Sequence, residues 1–131
     1  MYILDTDTCV FWLKGNHYTE KKIEEQGIEN IFVTIITACE LYFGAYNSQK
    51  KDNNMLVLDD LFSMIGIIQT TSEVAKIFGE TKTRLKRLGK LINDADLLIA
   101  SIVVANNGVL VTNNTAHFER VPDLNLENWL L

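Results

Sequence analysis

The chain has 131 residues, 47% of them hydrophobic and 22% charged. That length and balance fit one globular domain over residues 1–131 and exclude disordered, collagen-like and coiled-coil chains. Twelve Lys and Arg against seventeen Asp and Glu leave a net charge of −5, so any grip on a polyanion has to come from a local basic patch. Cys9 and Cys39 each sit in an apolar stretch without a second Cys or His at metal-ligand spacing. This excludes a disulfide scaffold and a zinc site and predicts two buried free thiols in a reducing cytoplasm. Residues 1–5 carry no basic leader, and the longest apolar run, 97–105, is about half a membrane span, so a soluble cytoplasmic protein is expected.

In chain order, residues 1–4 are an apolar run suited to a buried strand, and Asp5, Thr6 and Asp7 bring N-cap chemistry to a helix that Gly15 closes. A polar helix is predicted over 19–26 before Gly27, and a β-branched strand over 31–35. Thr37 to Glu40 is expected to open a helix reaching Asn47, and the apolar spacing over 53–64 predicts another helix. Residues 66–68 form a third strand candidate. Ser72 is expected to cap a long helix whose stripe is Val74, Ile77, Phe78, Leu85 and Leu88, ended by Gly89. Asn93 and Asp94 begin a helix burying Leu97, Leu98, Ile99, Ile102 and Val103, and residues 109–112 form a fourth strand. Helices alternating with short apolar strands predict an α/β fold, with a mainly parallel sheet covered on both faces.

In such a sheet the ligand crevice lies beyond the carboxyl ends of the strands. Asp5 follows the first strand, Glu40 is expected in the first turn of the helix after the second, and Asn113 and Asn114 follow the fourth. Asp96 opens a helix that runs back toward the fourth strand, so its start can face the same edge. Three converging carboxylates repel one another unless a hard divalent cation, Mg²⁺ or Mn²⁺, neutralises them. Each acid also has a capping explanation, since Thr37 with Glu40 and Asn93 with Asp96 both match the capping-box spacing. The coincidence of three acids at strand–helix junctions favours a site. Asp94 and Asp96 lie about 200° apart around a helix, so only one of them can point into it.

These segments resemble the PIN-domain ribonucleases, in particular the toxins of VapBC-type toxin–antitoxin pairs. Residues 1–6 (MYILDT) are similar to the family's opening, 37–44 (TACELYFG) to its Glu-Leu-aromatic-Gly helix, and 96–100 (DLLIA) to its Asp-x-x-Ile-Ala motif. The closing segment, VTNN at 111–114, FERVP at 118–122 and LENW at 126–129, resembles that of these toxins in order and spacing. The resemblance implies a PIN-like three-layer α/β/α fold with four or five short strands. It implies catalytic roles for Asp5, Glu40 and Asp96, metal binding by Asp5 and Asp96, and support from Thr6, Thr112 and Asn114. It further implies Mg²⁺ or Mn²⁺ as cofactor, an RNA substrate cut to 5′-phosphate and 3′-hydroxyl ends, a cognate antitoxin and a homodimer. The chain departs from the family's pattern at Asp7, commonly Asn or Ser, at His117, commonly acidic, and at Asp123, commonly Gly.

At such a site a metal lowers the pKa of its bound water while Glu40 orients that water or accepts its proton, and no covalent protein nucleophile is needed. Lys82, Arg84, Lys86, Arg87 and Lys90 form the one basic cluster, a candidate contact for the RNA backbone. The plainer reading makes them the solvated face of a helix, with Glu80 and Arg84 as an i,i+4 pair. Phe11, Trp12, Tyr42, Phe43 and Tyr46 are too crowded for all to face inward, and the surplus suits a dimer or antitoxin surface. His17 and His117 read as isolated surface or packing residues. Two alternatives remain on the residues alone. A haloacid-dehalogenase-like phosphatase shares the Asp5, Thr6, Asp7 opening, but Cys9 displaces its next Thr or Val and no later Lys and acidic pair follows. A non-catalytic, receiver-like metal-binding module would need a phospho-accepting Asp after the third strand, and none is there.

Overall fold

The computed structural model describes residues 1–131. Five strands, β1 (Tyr2–Leu4), β2 (Ile31–Thr34), β3 (Gly66–Ile68), β4 (Val109–Val111) and β5 (Asn125–Glu127), form one sheet in the order β3-β2-β1-β4-β5. All neighbours are parallel. Seven helices connect them: α1 (Thr6–Leu13), α2 (His17–Gln26), α3 (Ile35–Tyr46), α4 (Lys51–Met64), α5 (Ser72–Arg87), α6 (Asp94–Ala105) and the short α7 (Thr115–Phe118).

Because strand side chains alternate, β1, β2 and β4 feed two cores. Leu4, Val33 and Val111 point into a cluster with Cys9, Ile23, Leu41, Leu58 and Leu61, closed by the buried Trp129. Ile3 and Leu110 face the other way, onto Leu85, Leu97, Ile99, Val103 and Phe118. The three-layer α/β/α arrangement thus follows from parallel strands that are apolar on both faces.

The structure moves several boundaries. The strand after Gly27 ends at Thr34, not Ile35, and α3 begins at Ile35 because the Thr34 side chain accepts the Thr37 N–H. Thr37 is therefore no N-cap, and Glu40 stands in the second turn, outside any capping box. Thr71, not Ser72, caps α5; Asn16 caps α2, which starts at His17; α4 starts at Lys51. Thr81 takes a buried place on the α5 stripe, while Leu88, the C-cap residue, is exposed. Only Cys9 is a buried thiol; Cys39 is exposed. No helix is long and apolar enough to cross a membrane.

Candidate active site

Strand order 3-2-1-4-5 reverses direction at β1, so a crevice opens past the carboxyl ends of β1 and β4, where ligands bind in open α/β sheets. Asp5 is the first residue after β1. Its backbone N–H donates to the Val111 carbonyl at 3.0 Å, and its Oδ1 accepts the Thr8 N–H at 2.9 Å, capping α1. Its carboxyl is buried. Desolvation pushes its pKa up, opposed by hydrogen bonds from the Thr112 and Thr8 side chains, and the negative charge of Asp7 raises it further. Thr112, fully buried after β4, also accepts the backbone N–H of Asn114 at 3.0 Å, which ties the turn after β4 to Asp5.

Glu40 reaches the same edge from α3. Its Oε1 accepts the Thr6 hydroxyl at 2.7 Å, and the Thr6 oxygen lies 3.2 Å from the hydroxyl of the buried Thr37. A hydroxyl has one hydrogen, so Thr6 donates to Glu40 and Thr37 donates to Thr6. The relay joins α1 to α3 and holds Glu40 on the side chain next to Asp5.

Asp96 lies in the first turn of α6. Its N–H donates to Asn93 Oδ1 at 2.9 Å, and its Oδ2 accepts from Asn93 Nδ2, also at 2.9 Å. The same oxygen lies 3.1 Å from His117 Nε2 on α7, so His117 is not isolated; a contact between elements 21 residues apart leaves no mark in local spacing. Asp94 is committed elsewhere, to Lys82 Nζ at 2.8 Å. Arg84, Lys86 and Arg87 are exposed, and the expected Glu80–Arg84 ion pair is not formed.

The structure therefore links Asp5 with Thr112 and Asn114, and Glu40 with Thr6, through hydrogen bonds along one edge, whereas Asp96 is tied to Asn93 and His117. No three acidic, imidazole or thiol side chains form a finished metal cage. The donor chemistry still fits a hard cation. All candidate ligands are carboxylate oxygens, neither Asp5 nor Glu40 has a Lys, Arg or His partner, and Mg²⁺ commonly takes one or two carboxylates, keeping its other positions for water and substrate phosphate.

Beside this edge α1, α3 and α4 enclose an apolar hollow of about 420 Å³. Val10, Leu13, Leu41, Val57 and Leu58 line it, with Thr6 and Glu40 in the same wall. Phe43 and Tyr46 of α3 are 70% and 60% exposed.

Residues 2–124 match the PIN domain, and the chain belongs to that family. Ribonuclease VapC2 of Rickettsia felis is 36% identical over 98% of both chains. The tRNA(fMet)-specific endonuclease VapC of Shigella flexneri is 29% identical over 98% of this chain and 97% of its own. In three dimensions the fold is similar to VapBC2 from Rickettsia felis bound to a DNA fragment from their promoter, with a TM-score of 0.91 at 37% identity and 98% coverage of both chains. Within the family its place is among the VapC ribonucleases, toxin components of VapBC toxin–antitoxin systems.

Proposed function

We propose that the chain is a cytoplasmic, divalent-metal-dependent endoribonuclease acting as a single catalytic domain. It would cleave RNA phosphodiesters to 5′-phosphate and 3′-hydroxyl ends. The observation that carries this reading is the Thr37–Thr6–Glu40 relay beside the buried Asp5, at the point where the strand order reverses.

Asp5 and Asp96 would hold Mg²⁺ or Mn²⁺, which when bound activates water and neutralises charge on the phosphate. Glu40, oriented by Thr6, accepts the proton of the attacking water. Thr112 holds Asp5, and Asn114, placed by its bond to Thr112, takes the supporting position. Arg84, Lys86 and Arg87 offer the RNA backbone positive charge that the molecule as a whole lacks. Lys82 spends its charge on Asp94 and so contributes less.

The test is cleavage of RNA by purified protein with Mn²⁺, with ends mapped and initiator tRNA assayed first because the Shigella flexneri relative is named for it. Wild type is expected to cut; Asp5→Asn and Glu40→Gln are expected to lose at least about 100-fold. Full activity in Glu40→Gln, or hydrolysis of a small aryl phosphate in place of RNA, overturns the reading.

The partner is a cognate antitoxin. A fixed anionic pocket is silenced by a delivered cation, and an Arg fork pairs bidentately with carboxylates. Apolar anchors of an antitoxin segment would fill the hollow beside Glu40, and the exposed Phe43 and Tyr46 would serve the antitoxin or a homodimer contact. Affinity for the co-purified antitoxin is expected to fall in Asp5→Asn/Asp96→Asn. Unchanged affinity would mean that inhibition works by blocking RNA access instead.

A further inference from the structure

We propose that His117 is a positioning residue which, together with Asn93, orients the Asp96 carboxylate toward the divalent cation. The inference rests on the reading of Asp96 as a metal-holding acid. An ionised carboxylate only accepts hydrogen bonds, so His117 Nε2, 3.1 Å from Asp96 Oδ2, donates. Asn93 Nδ2 donates to the same oxygen at 2.9 Å while Asn93 Oδ1 takes the Asp96 N–H, which leaves the amide only one orientation that serves both bonds. Oδ2 is thereby held by two donors, and Oδ1 is the oxygen left without a protein partner.

The clamp is braced on both sides. The His117 ring sits edge-on to Phe118, with centroids 5.3 Å apart and planes at 84°. Phe118 is 2% exposed and packs in the core with Leu97 and Val121. Asn93 is the N-cap of α6, so its own position is set by the helix it starts. His117 therefore spans from the segment after β4 to the first turn of α6. Outer partners of this kind fix how a ligand presents its free oxygen, and losing one commonly costs about 10- to 100-fold in metal affinity.

The experiment is calorimetric titration of the full chain with Mn²⁺, alongside steady-state RNA cleavage. His117→Leu is expected to bind Mn²⁺ about ten-fold more weakly, with kcat lowered and KM for RNA unchanged within about two-fold. His117→Gln, whose amide can still donate, is expected to restore most of the affinity. Wild-type Mn²⁺ affinity in His117→Leu overturns the proposal, whatever happens to stability. A raised KM with intact Mn²⁺ binding also overturns it, since His117 would then touch RNA. Asp96→Asn separates this from the underlying reading: if that variant keeps full Mn²⁺ affinity, Asp96 is not a metal ligand and the proposed metal site fails first.

Discussion

On the proposed reading Asp5 carries two demands on one carboxylate. As an N-cap it needs only an oxygen facing the Thr8 N–H, which Asn supplies equally well. As a site acid it must be ionised, and burial opposes that: its pKa is raised above the ordinary carboxylate value. A group whose pKa is higher in the folded than in the unfolded state contributes stability that is full below the unfolded value and is lost as pH rises through the folded one. Metal-free wild type should therefore lose melting temperature relative to Asp5→Asn as pH rises from about 4 to 7. At pH 7 the variant should melt higher and cleave nothing; saturating Mn²⁺ should reverse the order of the two melting temperatures. A metal-free Asp5→Asn that melts lower at pH 7 would show that the ionised carboxylate is net stabilising. Thr6 gives a second prediction at this scale. Thr6→Val removes the donor to Glu40 and should lower kcat about ten-fold, whereas Thr6→Ser, which keeps the hydroxyl, should stay near wild type; equal rates in both would leave the relay without a catalytic part.

Among the elements, α3 shows where local reading stops. The run IFVTII over 31–36 is β-branched or aromatic at every position and shows no change of period, so periodicity cannot say where the strand ends. The boundary is set by one side-chain bond, the Thr37 N–H donating to Thr34 Oγ1, and it moves Glu40 from the first turn into the second. Thr34→Ala should cost about 1 kcal/mol, or about 3–5 °C in melting temperature, with Thr34→Ser near neutral; no loss in Thr34→Ala would place the helix start elsewhere. The edge strand β5 is three residues, NLE, paired only with β4, and no local pattern marks it. The long helices, the caps at Asp5 and Asn93 and the placement of Asp5 just past the first strand were all legible, because each is written within a few residues. His117, Thr37 and the commitment of Asp94 to Lys82 were not, because each depends on elements that meet only in the folded chain.

At the scale of the whole molecule, a protein of net charge −5 has to hold a polyanion. The exposed Arg84, Lys86 and Arg87 should carry that task through phosphate contacts, each contact adding about 0.7 to the slope of log affinity against log salt for single-stranded RNA. Changing all three to Gln should weaken RNA binding and flatten that slope while single-turnover cleavage at saturating RNA stays within about three-fold. An unchanged slope would place the RNA on another face.

The central position of β1 has a consequence for how the protein is made. Tyr2 pairs with Val109 as well as with Ile31, so the first strand synthesised waits for one of the last before the middle of the sheet is complete. Trp129, almost at the end of the chain, then seals the core beside Leu4 and Cys9. Such distant pairing folds slowly, and synthesis adds only about 5–20 residues per second. The growing chain on the ribosome thus lacks the floor of its own crevice, because Thr112 and Asn114 arrive after Asp5 and Glu40 have been waiting without them. A chain arrested after residue 105 should be unfolded by circular dichroism and inert toward RNA. A chain that carries Asp5 and Glu40 but not yet residues 109–127 is thus expected to leave RNA uncut, since β4 and β5 complete the sheet beside the crevice.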